Sequence, residues 1–227
     1  MIKKMRILIE KIKRRFIKPN HKQIFSDIYK NKKWGTDNKS QFYSGSGSDD
    51  EHSEQYVKVI SDFIKHHDIK TVVDLGCGDF RIGKKMTRLN QIEYTGVDVV
   101  EDLVEDNNKN FKENNIQFLY KNIVRDKIPD GDLCLCRQVL QHLSNNDIKT
   151  ILDKCKKYKY FIVTEHLPME LTNEPNINKQ PDASIRYYSG SGVYLDEPPY
   201  NKKIKDLLTV YPQDHPNSKI VTCQVFL

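Results

Sequence analysis

The hydrophobic positions of the chain change period repeatedly between residues 53 and 166. Short apolar runs predict strands at 71–75, 93–97, 116–120, 132–136 and 160–164, because such runs are typical of strands buried on both faces. Helical spacing predicts helices at 53–66, 84–89, 103–114 and 146–158. Strands that alternate with helices favour right-handed βαβ units. The pattern therefore predicts an α/β fold, with a mostly parallel sheet covered by helices on both faces.

The two ends of the chain carry different patterns. At the C-terminal end, a helical stretch at 202–208 precedes an apolar run at 220–226, which favours late antiparallel strands at the sheet edge. At the other end, the apolar residues within 2–17 have helical spacing and are separated by basic residues. A helical stretch at 23–29 and a Gly/Ser-rich loop at 35–53 follow, with Ser53 placed to cap the next helix. We expect a basic helical segment with a loop at 1–52 and a folded domain at 53–227.

Composition limits the class of protein. The 227 residues are 37% apolar and 30% charged, which allows a single core without disulfide or metal staples. No apolar run approaches the roughly 18 residues of a membrane span, and charged residues interrupt the N-terminal apolar positions where a signal peptide needs a continuous run. The five cysteines form no Cys-x-x-Cys pair, which favours reduced core thiols over a metal site. We therefore expect a cytoplasmic protein that needs no metal.

The positive charge is concentrated in the first part of the chain. Residues 1–39 contain 13 Lys or Arg and 3 Asp or Glu, whereas the remaining 188 residues contain 24 and 28. Nucleic acid is therefore a disfavoured partner, because an enzyme acting on it more often carries the basic surface on its catalytic domain. Residues 1–18 have two readings: a helix lying on an anionic membrane surface, or a terminal helix that packs on the domain. We favour packing, and the sequence carries no signal for the oligomeric state.

The glycine-rich turn after the first predicted strand is the most informative segment, with the sequence Val72-Val-Asp74-Leu-Gly76-Cys-Gly78-Asp-Phe80. It is neither the Gly-x-Gly-x-x-Gly of dinucleotide-binding folds nor a phosphate loop, since no Gly-Lys-Ser/Thr follows. An acid two residues before the first glycine would repel a pyrophosphate but would attract a cationic ligand. A second acid, Asp98, ends the second predicted strand, where doubly wound folds place the carboxylate that binds ribose hydroxyls.

These motifs resemble the S-adenosylmethionine (SAM) site of class I, Rossmann-like methyltransferases over about residues 68–166. The resemblance implies a Rossmann-like, doubly wound sheet with an antiparallel C-terminal edge, and SAM as the cofactor. It implies that the glycine turn passes beside the methionine part, that Asp98 binds the ribose and that the segment after the third strand lies along the adenine. The residues expected to bind the cofactor are Asp74, Gly76, Cys77, Gly78, Asp98, Val99, Asn122, Ile123 and Arg137. Many relatives have Asp at the position of Asn122, but an amide carbonyl can also accept from the adenine amino group.

Candidate catalytic residues follow the later strands. Ligands of open α/β sheets bind beyond the carboxyl ends of the strands, which places His142, after the fourth strand, and Glu165-His166, at the end of the fifth, near the crevice. His142 and His166 are the candidate bases, since a hydroxyl acceptor must lose its proton. Arg137 has a second reading as a partner for an acceptor anion.

A repeated loop gives the candidate acceptor residues. Tyr43-Ser-Gly-Ser-Gly47 recurs as Tyr188-Ser-Gly-Ser-Gly192, and hydroxyl-rich glycine loops offer donors to anions. The leader from Trp34 to Ser48 also resembles that of a small stand-alone bacterial methyltransferase group. We expect two loops that hold an anionic or polyhydroxyl acceptor, with the following substrate residues: Trp34, Tyr43, Ser44, Arg186, Tyr187 and Tyr194.

The resulting functional hypothesis is methyl transfer from SAM to an oxygen of a small polar bacterial metabolite, such as a sugar or a phosphate-containing precursor of a surface polysaccharide. Two alternatives stay open. One is an RNA or protein methyltransferase that docks through its basic N-terminus, and the other is a SAM-binding protein without catalysis.

Overall fold

The computed structural model describes residues 20–37 and 41–227, which fold around one seven-stranded sheet. Its strands are β1 (Thr71–Leu75), β2 (Glu93–Asp98), β3 (Ile116–Tyr120), β4 (Leu133–Arg137), β5 (Tyr160–Pro168), β6 (Lys203–Val210) and β7 (Ser218–Phe226). The order across the sheet is β3-β2-β1-β4-β5-β7-β6. The first five strands pair in parallel, and β7 pairs antiparallel with both β5 and β6. The predicted Rossmann-like α/β fold with an antiparallel C-terminal edge is confirmed.

Helices cover both faces of this sheet. They are α1 (His21–Lys30), α2 (Asp50–His66), α3 (Arg81–Leu89), α4 (Glu101–Phe111) and α5 (Asn145–Cys155). Apolar residues of α1 and α5 join one core cluster, and apolar residues of α2 and α3 join the other. The interior strands alternate between these two clusters, with Val73 and Leu75 of β1 in the first and Val72 in the second. Burial on both faces explains why these strands are continuous apolar runs in the sequence.

Local capping determines where α5 begins, and this matters because α5 follows the candidate catalytic segment. The Ser144 hydroxyl accepts from the backbone N–H of Asp147 at 3.2 Å, and the Asp147 carboxylate accepts from the Ser144 N–H at 3.4 Å. This capping box satisfies two N–H groups that the first turn leaves without intrahelical partners. His21 Nε2 of α1 lies 3.2 Å from the same carboxylate, so the cap also joins α1 to α5.

The helix predicted at 202–208 is wrong, because residues 203–208 lie in β6. The apolar residues Ile204, Leu207 and Leu208 have helical spacing, yet the segment pairs with β7. A register irregularity between Asp206 and Leu208 interrupts the alternation of the strand, as a β-bulge does. Leu207 and Leu208 consequently both pack on one core cluster while Ile204 packs on the other.

Two boundaries also differ from the sequence-based expectation. Helix α2 begins at Asp50, so Ser53 is inside the helix and does not cap it. Ser53 is buried, and its hydroxyl accepts a hydrogen bond from Lys85 Nζ at 3.1 Å. Strand β5 continues to Pro168, because its second half pairs with β7. Glu165 and His166 therefore lie within the strand and do not end it.

The N-terminal part of the chain is described from Asn20 onward. The basic stretch at 2–17, with its membrane-surface and packing alternatives, lies outside the described residues and stays a prediction. Phe25 and Ile28 of α1 belong to the same core cluster as β1 and α5. Across the described ranges, none of the helices combines the length and the apolar character needed to cross a bilayer.

Candidate cofactor and acceptor site

One cavity of about 370 Å³ lies at the carboxyl ends of the parallel strands. This volume is in the range of small-molecule sites. The turn after β1, the end of β2, the segment after β3 and the end of β4 all contribute to its lining, so the four adjacent strand ends meet there. All nine residues predicted to bind the cofactor line it, and so do both candidate bases, His142 and His166. The positions of these residues are therefore consistent with a shared cofactor and acceptor site.

The glycine turn is held in a conformation that ordinary residues rarely adopt. Gly76 has φ of +76° and Gly78 has φ of +55°. A Cβ on Gly76 would lie 2.4 Å from Val139 Cγ2, and one on Gly78 would lie 2.4 Å from Ser44 Oγ. Glycine is thus required both by the positive φ and by the close packing of Val139 and Ser44 on the turn.

Asp98, at the end of β2, is oriented by the same turn. Its Oδ2 accepts from the backbone N–H of Gly78 at 3.2 Å and its Oδ1 accepts from Val100 N–H at 3.0 Å. Each carboxylate oxygen has a second lone pair, so both can still accept from a ligand hydroxyl. Burial raises the pKa of the Asp98 carboxyl, while these N–H donors oppose the rise. The geometry fits a carboxylate that binds the two hydroxyls of a ribose.

Asp74 is the second acid at the turn. It is buried, its Oδ2 accepts from the Tyr94 hydroxyl at 2.7 Å, and burial raises its pKa to about 6. Its carboxylate form, present above that pH, adds negative potential to a cavity that also contains Asp98. Negative potential favours a cationic ligand such as a sulfonium or an ammonium. Burial also raises the pKa of the Cys77 thiol, so Cys77 lines the cavity as a neutral group.

Asn122 departs from its predicted role. Its Oδ1 already accepts from the backbone N–H groups of Val124 at 3.0 Å and Arg125 at 3.2 Å. Its Nδ2 lies 3.4 Å from Nδ1 of His21. The amide carbonyl expected to bind the adenine amino group is therefore engaged in capping the next turn. Ile123 and Val99, which also line the cavity, offer apolar surface at this end.

The segment after α1 forms a roof over the glycine turn, made of residues 34–37 and 41–48. Ser44 N donates to Asp79 Oδ2 at 3.0 Å, and Ser44 Oγ accepts from Asp79 N at 2.9 Å. The Tyr29 hydroxyl lies 2.9 Å from the same Oγ. Arg81 adds ion pairs to Asp37, Asp49 and Asp79. These contacts hold the first Tyr-Ser-Gly-Ser-Gly loop against the cofactor end of the cavity.

Replacement of Ser44 by alanine tests this roof. The substitution leaves the Asp79 N–H without its acceptor, and an unsatisfied buried donor costs about 1–3 kcal/mol. We expect Ser44→Ala to lower the free energy of unfolding by that amount in denaturant titrations. Ser46→Ala is the matched control, because no described residue is a hydrogen-bond partner of the Ser46 hydroxyl. Equal stability of the two variants would contradict the role of Ser44 in holding the roof.

His142 lines the same cavity and has a defined tautomer. Its Nδ1 lies 3.2 Å from the Ser184 carbonyl oxygen, which can only accept, so Nδ1 carries the proton and Nε2 bears the lone pair. The amide Nε2 of Gln141 donates to that lone pair over a long distance of 3.5 Å. Burial lowers its pKa to about 4, which keeps the ring neutral at physiological pH. Trp34 packs on the ring with centroids 5.1 Å apart, and Trp34 Nε1 donates to the Ala183 carbonyl at 3.2 Å. His142 lies in a short 3-10 turn, Leu140–His142, which follows β4.

His166 has different hydrogen-bond and ring contacts from those of His142. The Ser218 hydroxyl donates to the His215 carbonyl at 2.8 Å and therefore accepts from His166 Nε2, 2.5 Å away. His166 also stacks on Tyr187, with ring centroids 5.2 Å apart and an angle of 4° between the planes. His215 approaches it edge-on at 5.4 Å. Because Nε2 is used as a donor in this arrangement, His142 is the better placed of the two candidate bases.

The predicted acceptor residues separate into two groups. Trp34 and Ser44 line the cavity, whereas Tyr43, Tyr187 and Tyr194 are not among the described residues that line it. Tyr43 donates to Asp49 at 2.8 Å and lies under the Arg81 guanidinium, and Tyr187 lies behind His166. The predicted substrate roles of these three tyrosines are therefore not supported by direct access to the cavity.

Arg186 requires a correction. Its five N–H groups are directed at acceptors within the protein, at distances of 2.7–3.2 Å. These are the carbonyls of Ile177, Leu140, Gln141 and Leu143 and the side-chain oxygen of Asn145. With every donor used, Arg186 supports the segment that carries His142 and has none left for a substrate.

The two Tyr-Ser-Gly-Ser-Gly loops are not structurally equivalent. Residues 44–47 of the first loop line the cavity, whereas Tyr188 is the lining residue contributed by the second. Ser191 of the second loop is buried and bonds to the backbone of Glu174 and Ile177. The shared motif therefore does not produce the predicted pair of matching loops.

The sequence predicts no role for Gln138 or Gln141. Gln138 Nε2 and Gln141 Oε1 are both buried and have no hydrogen-bond partner within the described part of the chain. Both residues line the cavity, as do His21, Phe25 and Tyr29 from α1. The position of the glutamines between β4 and α5 was visible in the sequence, but their lack of partners depends on contacts between distant segments.

Solved structures with the same fold are methyltransferases. The methyltransferase domain of bacterial CtHen1-CN is 18% identical, with a TM-score of 0.56, over 77% of this chain and 98% of that chain. The N-methyltransferase NodS from Bradyrhizobium japonicum, in complex with S-adenosylhomocysteine (SAH), is 11% identical, with a TM-score of 0.57, over 78% and 88%. Magnesium protoporphyrin IX methyltransferase from Synechocystis PCC 6803, with bound SAM, is 16% identical, with a TM-score of 0.54, over 91% and 98%. No curated protein matches the chain in sequence.

The fold is therefore that of class I, Rossmann-like SAM-dependent methyltransferases. The family model described as "Methyltransferase domain" matches residues 72–158, from β1 through the end of α5. The chain is therefore similar to methyltransferases in the sequence of residues 72–158 and in its fold, and two of these solved structures contain SAH or SAM.

Proposed function

We propose that the protein transfers a methyl group from SAM to an oxygen of a small polar metabolite. The observation that carries this proposal is that the glycine turn, Asp98 and His142 all line one cavity. A donor and an acceptor held in one enclosed space can react as if within one molecule, which removes much of the entropic barrier. When bound, SAM supplies a methyl group already activated by its sulfonium.

The residues of the chain would contribute binding and proton transfer. Asp98 binds the ribose hydroxyls, and the carboxylates of Asp74 and Asp98 favour the cationic donor. The neutral Nε2 of His142 accepts the proton of the acceptor hydroxyl, and the Ser184 carbonyl keeps the ring in the required tautomer. Trp34 of the roof packs on His142 and limits the movement of its ring.

The size of the cavity, about 370 Å³, favours a small acceptor, and a sugar hydroxyl of a polysaccharide precursor belongs to this class. A large RNA or protein substrate would more often meet an open, basic surface, whereas the residues after 39 carry 24 basic and 28 acidic side chains. The chemical class is therefore an O-methyltransferase acting on a small hydroxylated compound.

Label transfer tests this function directly. The protein is incubated with methyl-labelled SAM and separate bacterial fractions of small metabolites, polysaccharide, RNA and protein. We expect label in the small-metabolite fraction. Label mainly in RNA or protein would overturn the small acceptor, and no label from a protein that still binds SAM would identify a non-catalytic SAM-binding protein.

A further inference from the structure

The side chain of Gln141 presents a buried oxygen that no described residue satisfies. Gln141 is 4% exposed, and its Nε2 donates to the Gln138 carbonyl at 3.4 Å. Because a carbonyl can only accept, this bond decides which end of the amide is nitrogen and which is oxygen. Oε1 is therefore the atom left without a partner. A buried acceptor without a donor costs free energy, so its retention indicates a ligand group.

Gln138 presents the complementary atom. Its backbone has φ of +55°, in the left-handed region that a non-glycine residue rarely occupies, and its N–H donates to the Thr164 carbonyl at 2.7 Å. Its buried Nε2 has no partner among the described residues. The carboxamide lies against Gly47 of the roof, where a Cβ would be 2.1 Å from Oε1. Backbone strain and an unpaired donor together indicate a functional position.

The backbone around Gln141 is held by buried groups. Glu165 accepts from the N–H groups of Leu140 at 2.9 Å and Gln141 at 3.1 Å, and Arg186 donates to the carbonyls of the same two residues. The backbone of Gln141 is therefore fully engaged. Its side-chain oxygen cannot gain a partner by a small shift of the main chain.

We propose that Gln138 and Gln141 form an acceptor subsite that recognises a hydroxyl group of the methyl acceptor. Gln141 Oε1 accepts from the hydroxyl, and Gln138 Nε2 donates to the hydroxyl oxygen. A carboxylate or phosphate offers lone pairs only and would face the lone pairs of Gln141 Oε1. The subsite therefore selects a polyhydroxylated compound such as a sugar. This inference rests on the proposed function and specifies its substrate class.

The position of the pair favours the acceptor over the cofactor. Gln141 Nε2 lies 3.5 Å from Nε2 of His142, the candidate base. The glycine turn instead meets this segment at Val139. A hydroxyl bound by the two glutamines would therefore hold the acceptor beside His142.

The test uses Gln141→Met, which keeps the side-chain length and removes both polar atoms, and Gln138→Met as a second variant. Gln91→Met, at an exposed position between α3 and β2 and outside the cavity lining, is the control. Labelling rates are measured against increasing amounts of the small-metabolite fraction, and SAM affinity is measured by calorimetry. We expect Gln141→Met to raise the apparent KM for the fraction by about 3- to 10-fold, the effect of one neutral hydrogen bond. SAM affinity and thermal stability should not fall.

Each of the other outcomes would refute either the glutamine subsite or the proposed methyl transfer. A loss of SAM affinity with an unchanged KM would assign the glutamines to the cofactor. No change in either quantity would make them structural. The labelled product should gain acetyl groups on peracetylation because it retains hydroxyls, and a product that gains none would refute the proposed class. Absence of label with SAM still bound would instead refute the proposed function, and this inference with it.

Discussion

Asp98→Ala should weaken SAM binding by about 10- to 100-fold in calorimetric titrations. The carboxylate is positioned to accept from both ribose hydroxyls, and hydrogen bonds to a charged group contribute about 1.5–3 kcal/mol each. The substitution also deprives the N–H groups of Gly78 and Val100 of their acceptor, so some loss of stability accompanies the loss of affinity. The folded fraction of the variant therefore has to be measured at the titration temperature.

Asp132→Ala separates the two effects. Asp132 directly precedes β4, at the amino end of the sheet, and its Oδ2 accepts from the backbone N–H groups of Lys70 at 3.1 Å and Thr71 at 3.0 Å. It thus has the same structural task as Asp98 at the edge opposite the cavity. Asp132→Ala should lose stability and keep SAM affinity. Unchanged SAM affinity in folded Asp98→Ala would refute the ribose assignment.

His142→Gln should lower kcat by about 100-fold while leaving SAM affinity unchanged. General-base assistance is typically worth about 10²- to 10⁴-fold, and the low basicity of His142 places it at the lower end of that range. The glutamine amide can still donate to the Ser184 carbonyl, so the loss reports on the lone pair of Nε2. His66→Gln, at the exposed end of α2, is the control and should keep full turnover.

The pH profile gives an independent check on His142. The neutral ring is the active form, so activity is present above the His142 pKa and is lost as the pH falls through it. Burial lowers that pKa to about 4. The wild-type rate should therefore be flat from about pH 6 to about pH 8, where an unperturbed imidazole would titrate. Near-normal turnover of His142→Gln would mean that no base is needed and that the acceptor is already anionic.

The candidate cofactor site was predictable from sequence because its signals are local. The turn from Asp74 to Gly78 combines an acid with two glycines, and Asp98 ends the next strand. Both sets of residues are at the carboxyl ends of adjacent parallel strands, and parallel strands bring those ends to one edge of the sheet. Their convergence in one cavity therefore follows from the strand order alone.

The acceptor end was less predictable, because its arrangement depends on long-range contacts. The sequence predicts that Arg186 binds the substrate, but its N–H groups all donate to four backbone carbonyls and to Asn145. His142 looked like an ordinary imidazole, but burial depresses its basicity. The two Tyr-Ser-Gly-Ser-Gly loops share a motif, yet their hydroxyls meet different neighbours. In these cases, the neighbouring residues in the fold determine the hydrogen-bond partners and the basicity of a side chain.

By itself, the sequence determined the βαβ core, the glycine turn and the acid that ends β2, the candidate for ribose binding, since each depends on hydrophobic periodicity or on residues close in the chain. The tertiary structure decided that 203–210 is a strand, because pairing with β7 and a bulge outweigh its helical spacing. It also decided that Ser44 and Asp79 are joined by two hydrogen bonds. The side chains of Gln138 and Gln141 each have one polar atom without a hydrogen-bond partner among the described residues, and this too depends on the tertiary structure. Hydrogen-bond satisfaction in a buried site depends on which distant groups arrive there, and the linear pattern does not specify them.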